Sequence, residues 1–232
     1  MFKTSMYKGS GYPETNKDDY RFGECDFIEV SYDRIIVRKR IKAKDDRQFI
    51  TYLKNKKERT IFDQNLFVKL LDYDSGALSY DESDDGTYKY FIDCYFEYHE
   101  NDLRKEVKRR RSDGETFSAH ELKDFIDFFI KAGTVLDSIN SRHSDLRPEF
   151  ICLSSEGRPL LMDNVRDKAG AGARLAFVSD MDKYMAPILY KHYCRNVMKI
   201  KHDKPKDDVF SAGLIVLEAG LLDSIQKMFD PD

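Results

Sequence analysis

The sequence predicts a mixed α+β protein with a β-rich first third, and two observations carry that expectation. Short runs rich in branched and aromatic residues, 22–30, 35–41, 66–73 and the opening of 88–107, crowd the first hundred residues. Farther on, apolar residues recur at helical spacing after Ser118, and 204–222 includes a stretch that is apolar on every side. Strands gathered first and helices gathered after them belong to the α+β class.

Composition narrows the class of protein. At 232 residues, with 41% apolar and 35% charged side chains, the chain can bury a sizeable core as one large domain or two small ones. It has no Trp, but 14 Tyr and 16 Phe can fill that core. Lys and Arg number 39 against 42 Asp and Glu, so the net charge of −3 gives no pull toward nucleic acid. Cys25, Cys94, Cys152 and Cys194 lack CxxC spacing, which points to a reduced, cytoplasmic chain and away from a metal site. The longest apolar run, Gly213 to Leu222, is interrupted by Glu218 and is too short to span a bilayer. The opening MFKTSMYKGSGY has no signal-peptide core.

Taken in order, residues 1–20 are polar, carry Gly9, Gly11 and Pro13, and read as a loose arm. Runs 22–30 and 35–41 flank a turn at Tyr32-Asp33-Arg34 and read as a hairpin. A helix is predicted over 43–62, with Asp45 or Asp46 near its start, followed by a strand over 66–73 and an acidic loop from Asp81 to Gly86. Segment 88–107 is an aromatic strand running through a polar linker into a helix. Lys105 to Arg111 is a basic cluster, read as an exposed helix end that suits the dipole or as a contact for an acidic partner.

Ser118 and Glu121 form the S-x-x-E capping box of a long helix, with Leu122, Phe125, Ile126, Phe129, Ile130 and Leu136 as its core stripe. Next, Ile151-Cys152-Leu153 reads as a short strand, Ser154 to Arg158 as a turn around Gly157, and Leu160 to Met162 as the returning strand. Asp145 and Asp163 sit at the two ends of this hairpin, a spacing that suits phosphoryl transfer: one acid can orient a hydroxyl, the other hold a metal ion.

His143, Asp145, Leu146, Pro148 and Glu149, with Asp163 downstream, resemble the catalytic and metal-binding loops of a eukaryotic protein kinase, H-R-D-L-K-P-x-N and D-F-G. Ser144 stands where the family has Arg, Arg147 where it has Lys, Phe150 where it has Asn, and Asn164-Val165 where it has Phe-Gly. The resemblance extends over about residues 20–222. Gly23 and Val30 match the ends of the glycine-rich loop, while Cys25 and Ile28 occupy its other glycine positions. With Ile36 at the family's alanine, Arg38 falls at the lysine position and Lys39 on the opposite face; a slip of one residue exchanges them. Phe96 takes the gatekeeper position, Glu97-Tyr98-His99 the hinge, and Asp102-Leu103 the D-L that follows it. Tyr184-Met185-Ala186-Pro187 is similar to the end of an activation segment, with Ile188 in place of its Glu, and Asp208 to Glu218 to the central helix of the large lobe.

The resemblance implies a loose arm at 1–20, a kinase-like small lobe at 21–98 and a large lobe at 99–232 that is cut short after its central helix. A protein partner or a second copy is then expected to cover that helix, with no nucleic acid and no membrane involved. The departures imply a pseudokinase acting as a scaffold or structural subunit, in which Asp145 and Arg147 are vestigial and Asp145 anchors the loop to the helix beginning at Asp208. No cofactor is expected. The alternative is a residual ATP-dependent serine/threonine kinase with Asp145 as base and Asp163 holding Mg²⁺. Its nucleotide would be bound by Gly23, Val30, Arg38, Glu97 and His99.

Overall fold

The computed structural model describes residues 5–8, 14–31, 34–45, 47, 51, 65–79, 87–143, 145–162, 184–193 and 204–223. The protein is α+β and divides after Tyr98 into two compact units.

The first unit is a five-stranded sheet of β1 (Glu14–Asp19), β2 (Gly23–Ser31), β3 (Arg34–Ala43), β4 (Leu70–Ala77) and β5 (Tyr90–Glu97). Its order is β1-β2-β3-β5-β4, with every neighbouring pair antiparallel. Side chains alternate faces along a strand, so the ladder assigns them. Ile28, Ile36 and Tyr95 are buried together on one face, whereas Val37, Lys39, Cys94 and Phe96 are buried on the other.

Three expectations change here. Glu14–Asp19 form an edge strand, and the loose arm expected over 1–20 is also tied down at Ser5 to Lys8. Ser5 Oγ and the Met6 N–H both donate to Asp72 Oδ2, and Lys8 Nζ meets the buried Asp74 at 2.6 Å. The polar residues that read as a loop supply donors to carboxylates in β4, which burial would otherwise penalise. The strand expected over 66–73 is displaced to Leu70–Ala77, where Gly76 meets β5 closely: a Cβ there would stand 2.7 Å from the Phe91 ring. Ala43 belongs to β3; the remainder of the helix expected over 43–62 lies largely outside the described residues, as does the acidic loop at 81–86.

The second unit begins with α1 (Leu103–Asp113), whose first turn is capped by the buried Asp102 and whose end is closed by Gly114 at φ 70°. Helix α2 (Ala119–Ser138) starts on the complete Ser118–Glu121 capping box. The hairpin of β6 (Ile151–Leu153) and β7 (Pro159–Leu161) follows, its turn passing through Gly157 at φ 76°. Helices α3 (Pro187–Tyr193) and α4 (Lys204–Leu221) complete the unit, with α4 packed on α2. No described helix is long and apolar enough to cross a membrane.

Burial on these helices differs from the expected stripes. The inward face of α2 is Phe125, Phe128, Ala132 and Leu136, while Ile126 and Ile130 are 46% and 62% exposed. The apolar positions outnumber those one helix face can bury, and Phe128 with Ala132 holds the core side. Helix α4 buries Ile215, Glu218 and Ala219 but leaves Leu217 exposed, so it is not buried all round.

Candidate functional site

The site is built on the turn from His143 to Phe150 and the hairpin after it. Pro148–Phe150 forms one turn of 3₁₀ helix, starting with Pro at a position where the missing N–H costs nothing. The Phe150 N–H bonds back to Arg147 O, and Phe150 O accepts from Met162 N at 2.8 Å, so the turn is stitched to the end of the returning strand. The start of α1 is fastened to the same hairpin: Leu153 N donates to Asn101 O at 2.9 Å, and Asp102 bridges to Cys152. These contacts fix the backbone that carries Asp145, Arg147 and Phe150.

His143 ties the turn to two elements. Its backbone N–H donates to Asp208 Oδ2 on α4 at 3.0 Å, and its Nε2 lies 2.8 Å from Met162 O. This contact to α4 comes from the His143 backbone; Asp145, expected to anchor the loop there, has no proton to donate to the Asp208 carboxylate while ionised.

Asp145 instead meets Arg147. Arg147 Nη2 donates to Asp145 Oδ2 at 3.2 Å, while Nε stands 2.9 Å from Oδ1 as a charge contact without hydrogen-bond geometry. The same guanidinium places Nη1 2.9 Å from Glu149 Oε1, and Arg104 reaches that oxygen from α1 at 3.4 Å. Asp145, Arg147 and Glu149 are all buried. Phe150, 2% exposed, closes the cluster: the Arg147 guanidinium lies 4.8 Å from its ring centre and the His143 ring 5.5 Å away. The arginines thus balance two carboxylates that burial would otherwise disfavour.

Mg²⁺ takes oxygen ligands; among the described residues, Phe150 offers carbon where the resemblance has Asn, and Asp145 and Glu149 carry guanidinium counter-charges. Asp163 lies outside the described residues; among those described, no group of three or more His, Cys, Asp or Glu is arranged to hold a metal.

In the sheet unit, three of the residues expected to bind nucleotide, Val30, Arg38 and Glu97, share one face of the sheet. Arg38 faces Asp26 and Glu14, each 2.9 Å from its Nη2, and Val30 packs against the Ile28, Ile36 and Tyr95 cluster on that same side. Phe96 lies on the opposite face with Lys39, which is 2% exposed and which the Arg38 register had set aside. Acids on β1 and β2 draw Arg38 to their own side, and alternation then turns Lys39 toward Phe96. Gly23 opens β2 opposite Asp19, Glu97 closes β5 with its N–H bonded to Lys69 O, and His99 is half-buried at the start of the second unit.

Two further groupings bear on function. Tyr184 is buried and its hydroxyl donates to Glu218 Oε2 on α4 at 2.6 Å, while Ser211 Oγ donates to Tyr184 O at 2.7 Å. Burial, with the charge of Glu218, pushes the Tyr184 hydroxyl far above its ordinary pKa, so it remains a donor. Ile188, at the position where the resemblance has a Glu, is exposed. On α1, Arg109 pairs with Glu106, Asp113 and Glu115, Arg110 with Glu106 and Glu121, and Arg111 with Asp223. The three arginines of the basic run thus pair with the chain's own acids, while Lys105 donates to the Glu100 carbonyl. Compared with models of known families and with curated proteins, the chain matches none.

Proposed function

We propose that the chain is a protein kinase-like domain with impaired catalysis, a pseudokinase that serves as a scaffold or structural subunit of a larger assembly. The observation that carries this reading is the engagement of Asp145 by Arg147 inside a buried cluster. A catalytic base must accept a proton from the substrate hydroxyl as the phosphoryl group moves. Protonating Asp145 would remove a counter-charge from a buried guanidinium, which opposes that step. Phe150 adds to the case by placing a ring where the resemblance requires an oxygen ligand. The two-lobed arrangement is part of the same proposal, supported by an antiparallel sheet followed by a helical unit in the order of the motifs. So are the cytoplasmic setting and work through protein contacts.

A second reading, the residual ATP-dependent serine/threonine kinase, draws support from Lys39. A buried lysine on the Phe96 face is where the resemblance would have a nucleotide-contacting cation. Mg·ATP titration in a thermal melt, run beside a phosphate-transfer assay, separates the two. Nucleotide at ~100 times its Kd would stabilise the fold by ~2.7 kcal/mol, a plain rise in melting temperature. The pseudokinase reading expects no Mg²⁺-dependent rise and no transfer. Transfer that disappears in Asp145→Asn overturns it.

A further inference from the structure

We infer that the outward face of α4, continued onto α2, is a docking surface for a second copy of this chain, with the two α4 helices antiparallel. The inference rests on the scaffold reading only in expecting a protein there, and it names which protein. Val209 and Leu221 are 70% and 57% exposed, and Phe210 and Leu217 lie between them in sequence and are also exposed. At 3.6 residues per turn, these four share with Gly213 and Gly220 an arc of roughly 120°. Ser211, Ile215, Glu218 and Ala219 occupy the buried side. Between Val209 and Leu221 no ionisable residue falls in the arc, because Glu218, the one such residue there, points inward to Tyr184.

The apolar surface continues past α4. A Cβ at Gly220 would lie 3.5 Å from Leu122 Cδ1 on α2, and the exposed Ile126 and Ile130 follow Leu122 along one side of that helix. Monomers rarely expose a contiguous apolar patch beyond ~300–600 Å², so a run across two helices marks an interface.

A second copy fits this face because the face is complementary to itself. In an antiparallel pair related by a two-fold axis level with Ile215, residues whose numbers sum to the same value oppose one another. Phe210 then meets Gly220 of the other copy, Leu217 meets Gly213, and Val209 meets Leu221. Leu217 opposes Gly213, beyond which the space is open, with nothing within 4 Å of where a Cβ would stand, whereas Gly220 is backed by Leu122 of its own chain, against which Phe210 of the other copy would pack. The ends match as well. Lys206 is exposed near the start of α4, and the antiparallel register brings it within a residue of Asp223 of the other copy, which in its own chain pairs with Arg111. The helix dipoles also oppose, and a net charge of −3 on a chain of this size leaves little repulsion between copies.

Sedimentation equilibrium of the full chain over a hundredfold concentration range tests this directly. A dimer is expected, with self-association at least tenfold weaker in Leu217→Lys and in Phe210→Lys. Thermal melting of the variant monomers confirms that each is folded, as the exposure of both sites leads one to expect. The register has its own readout. Gly213→Cys with Leu217→Cys in one chain should give a covalent dimer under mild oxidation, while either substitution alone should give little. A chain that stays monomeric throughout overturns the inference, including the case where residues 224–232 of the same chain cover the face. A dimer insensitive to both lysine variants overturns it too. Monomer without phosphate transfer leaves the scaffold reading standing, whereas a dimer that transfers phosphate removes that reading and leaves the interface.

Discussion

The protein holds two arginine–carboxylate clusters, and the contrast between them locates its interest. The first, at the end of α1 and the start of α2, joins Arg109 and Arg110 to Glu106, Asp113, Glu115 and Glu121 with contacts of 2.6–2.9 Å. The second joins Arg147 to Asp145 and Glu149, with Arg104 at its edge, over 2.9–3.4 Å. Shorter contacts do not make the first cluster stronger. Arg109, Asp113, Glu115 and Glu121 are well exposed and Arg110 and Glu106 are half-buried, so solvent screens the exposed pairs to ~0–1 kcal/mol. The second is sealed from water, so its members depend on one another, and loss of any one leaves a charge with no solvent to receive it. Distance alone does not rank the two clusters; burial decides how far the members of each depend on one another.

The sharpest way to break the comparison is Arg147→Met. It strips the counter-charge from Asp145 and, in large part, from Glu149, and should destabilise the fold by ~3–5 kcal/mol in a denaturant melt. Arg147→Met with Asp145→Asn should lose clearly less than the sum of the two single changes, because one removes the charge the other leaves exposed to burial. Additive losses would mean the pair is not coupled and would weaken the view that Arg147 silences Asp145. Phe150→Ala should cost ~3–5 kcal/mol through the cavity it leaves between His143 and Arg147. A near-neutral Phe150→Ala would show that the ring fills no essential space there.

Elements governed by local rules were legible in the sequence. The capping box at Ser118 and Glu121 and the Gly157 turn between β6 and β7 formed where their residues indicated. The hairpin of β2 and β3 also formed, within a residue or two of its expected ends. Register and face were less legible, because they depend on partners distant in sequence. Arg38 or Lys39 could be chosen only with Glu14, Asp26 and Phe96 in view, and β1 is recognisable as a strand only through its ladder with β2. On α2 the apolar pattern fixed the helix but not which apolar residues faced inward, since Ile126 and Ile130 satisfy the same period as Phe125. At the site, Asp145 and Phe150 drew attention from the sequence alone. The part played by Arg147 did not, because nothing in a two-residue spacing says that the side chains turn toward each other.

Tyr184 and Glu218 form an intermediate case, a buried carboxylate held by a neutral donor. Tyr184→Phe removes the hydroxyl and leaves Glu218 short of a hydrogen bond it has in the native fold, which should cost ~1–3 kcal/mol. Tyr184→Phe combined with Glu218→Gln should recover part of that loss, since an amide is easier to bury than a carboxylate. Equal losses in the single and double variants would move the cost from the charge to the packing of the ring.

The smallest expected effect belongs to the exposed cluster, and pH reads it. The Arg110 guanidinium beside Glu121, helped by the Ser118 N–H, holds that carboxyl down at about 2. A carboxyl depressed by folding adds stability that is fully present above the unfolded carboxylate value of ~4.3 and is lost as pH falls toward the folded one. Wild-type protein should therefore exceed Glu121→Gln in stability at neutral pH, and the two melting curves should converge as pH drops from ~4.3 toward 2. Solvent around Glu121 limits the gap to under ~1 kcal/mol, and added salt should narrow it further. A gap that persists unchanged at the acid end would assign the contribution of Glu121 to the shape of its capping box rather than to its charge. The two clusters would then differ in kind and not only in degree, one electrostatic by necessity and the other geometric.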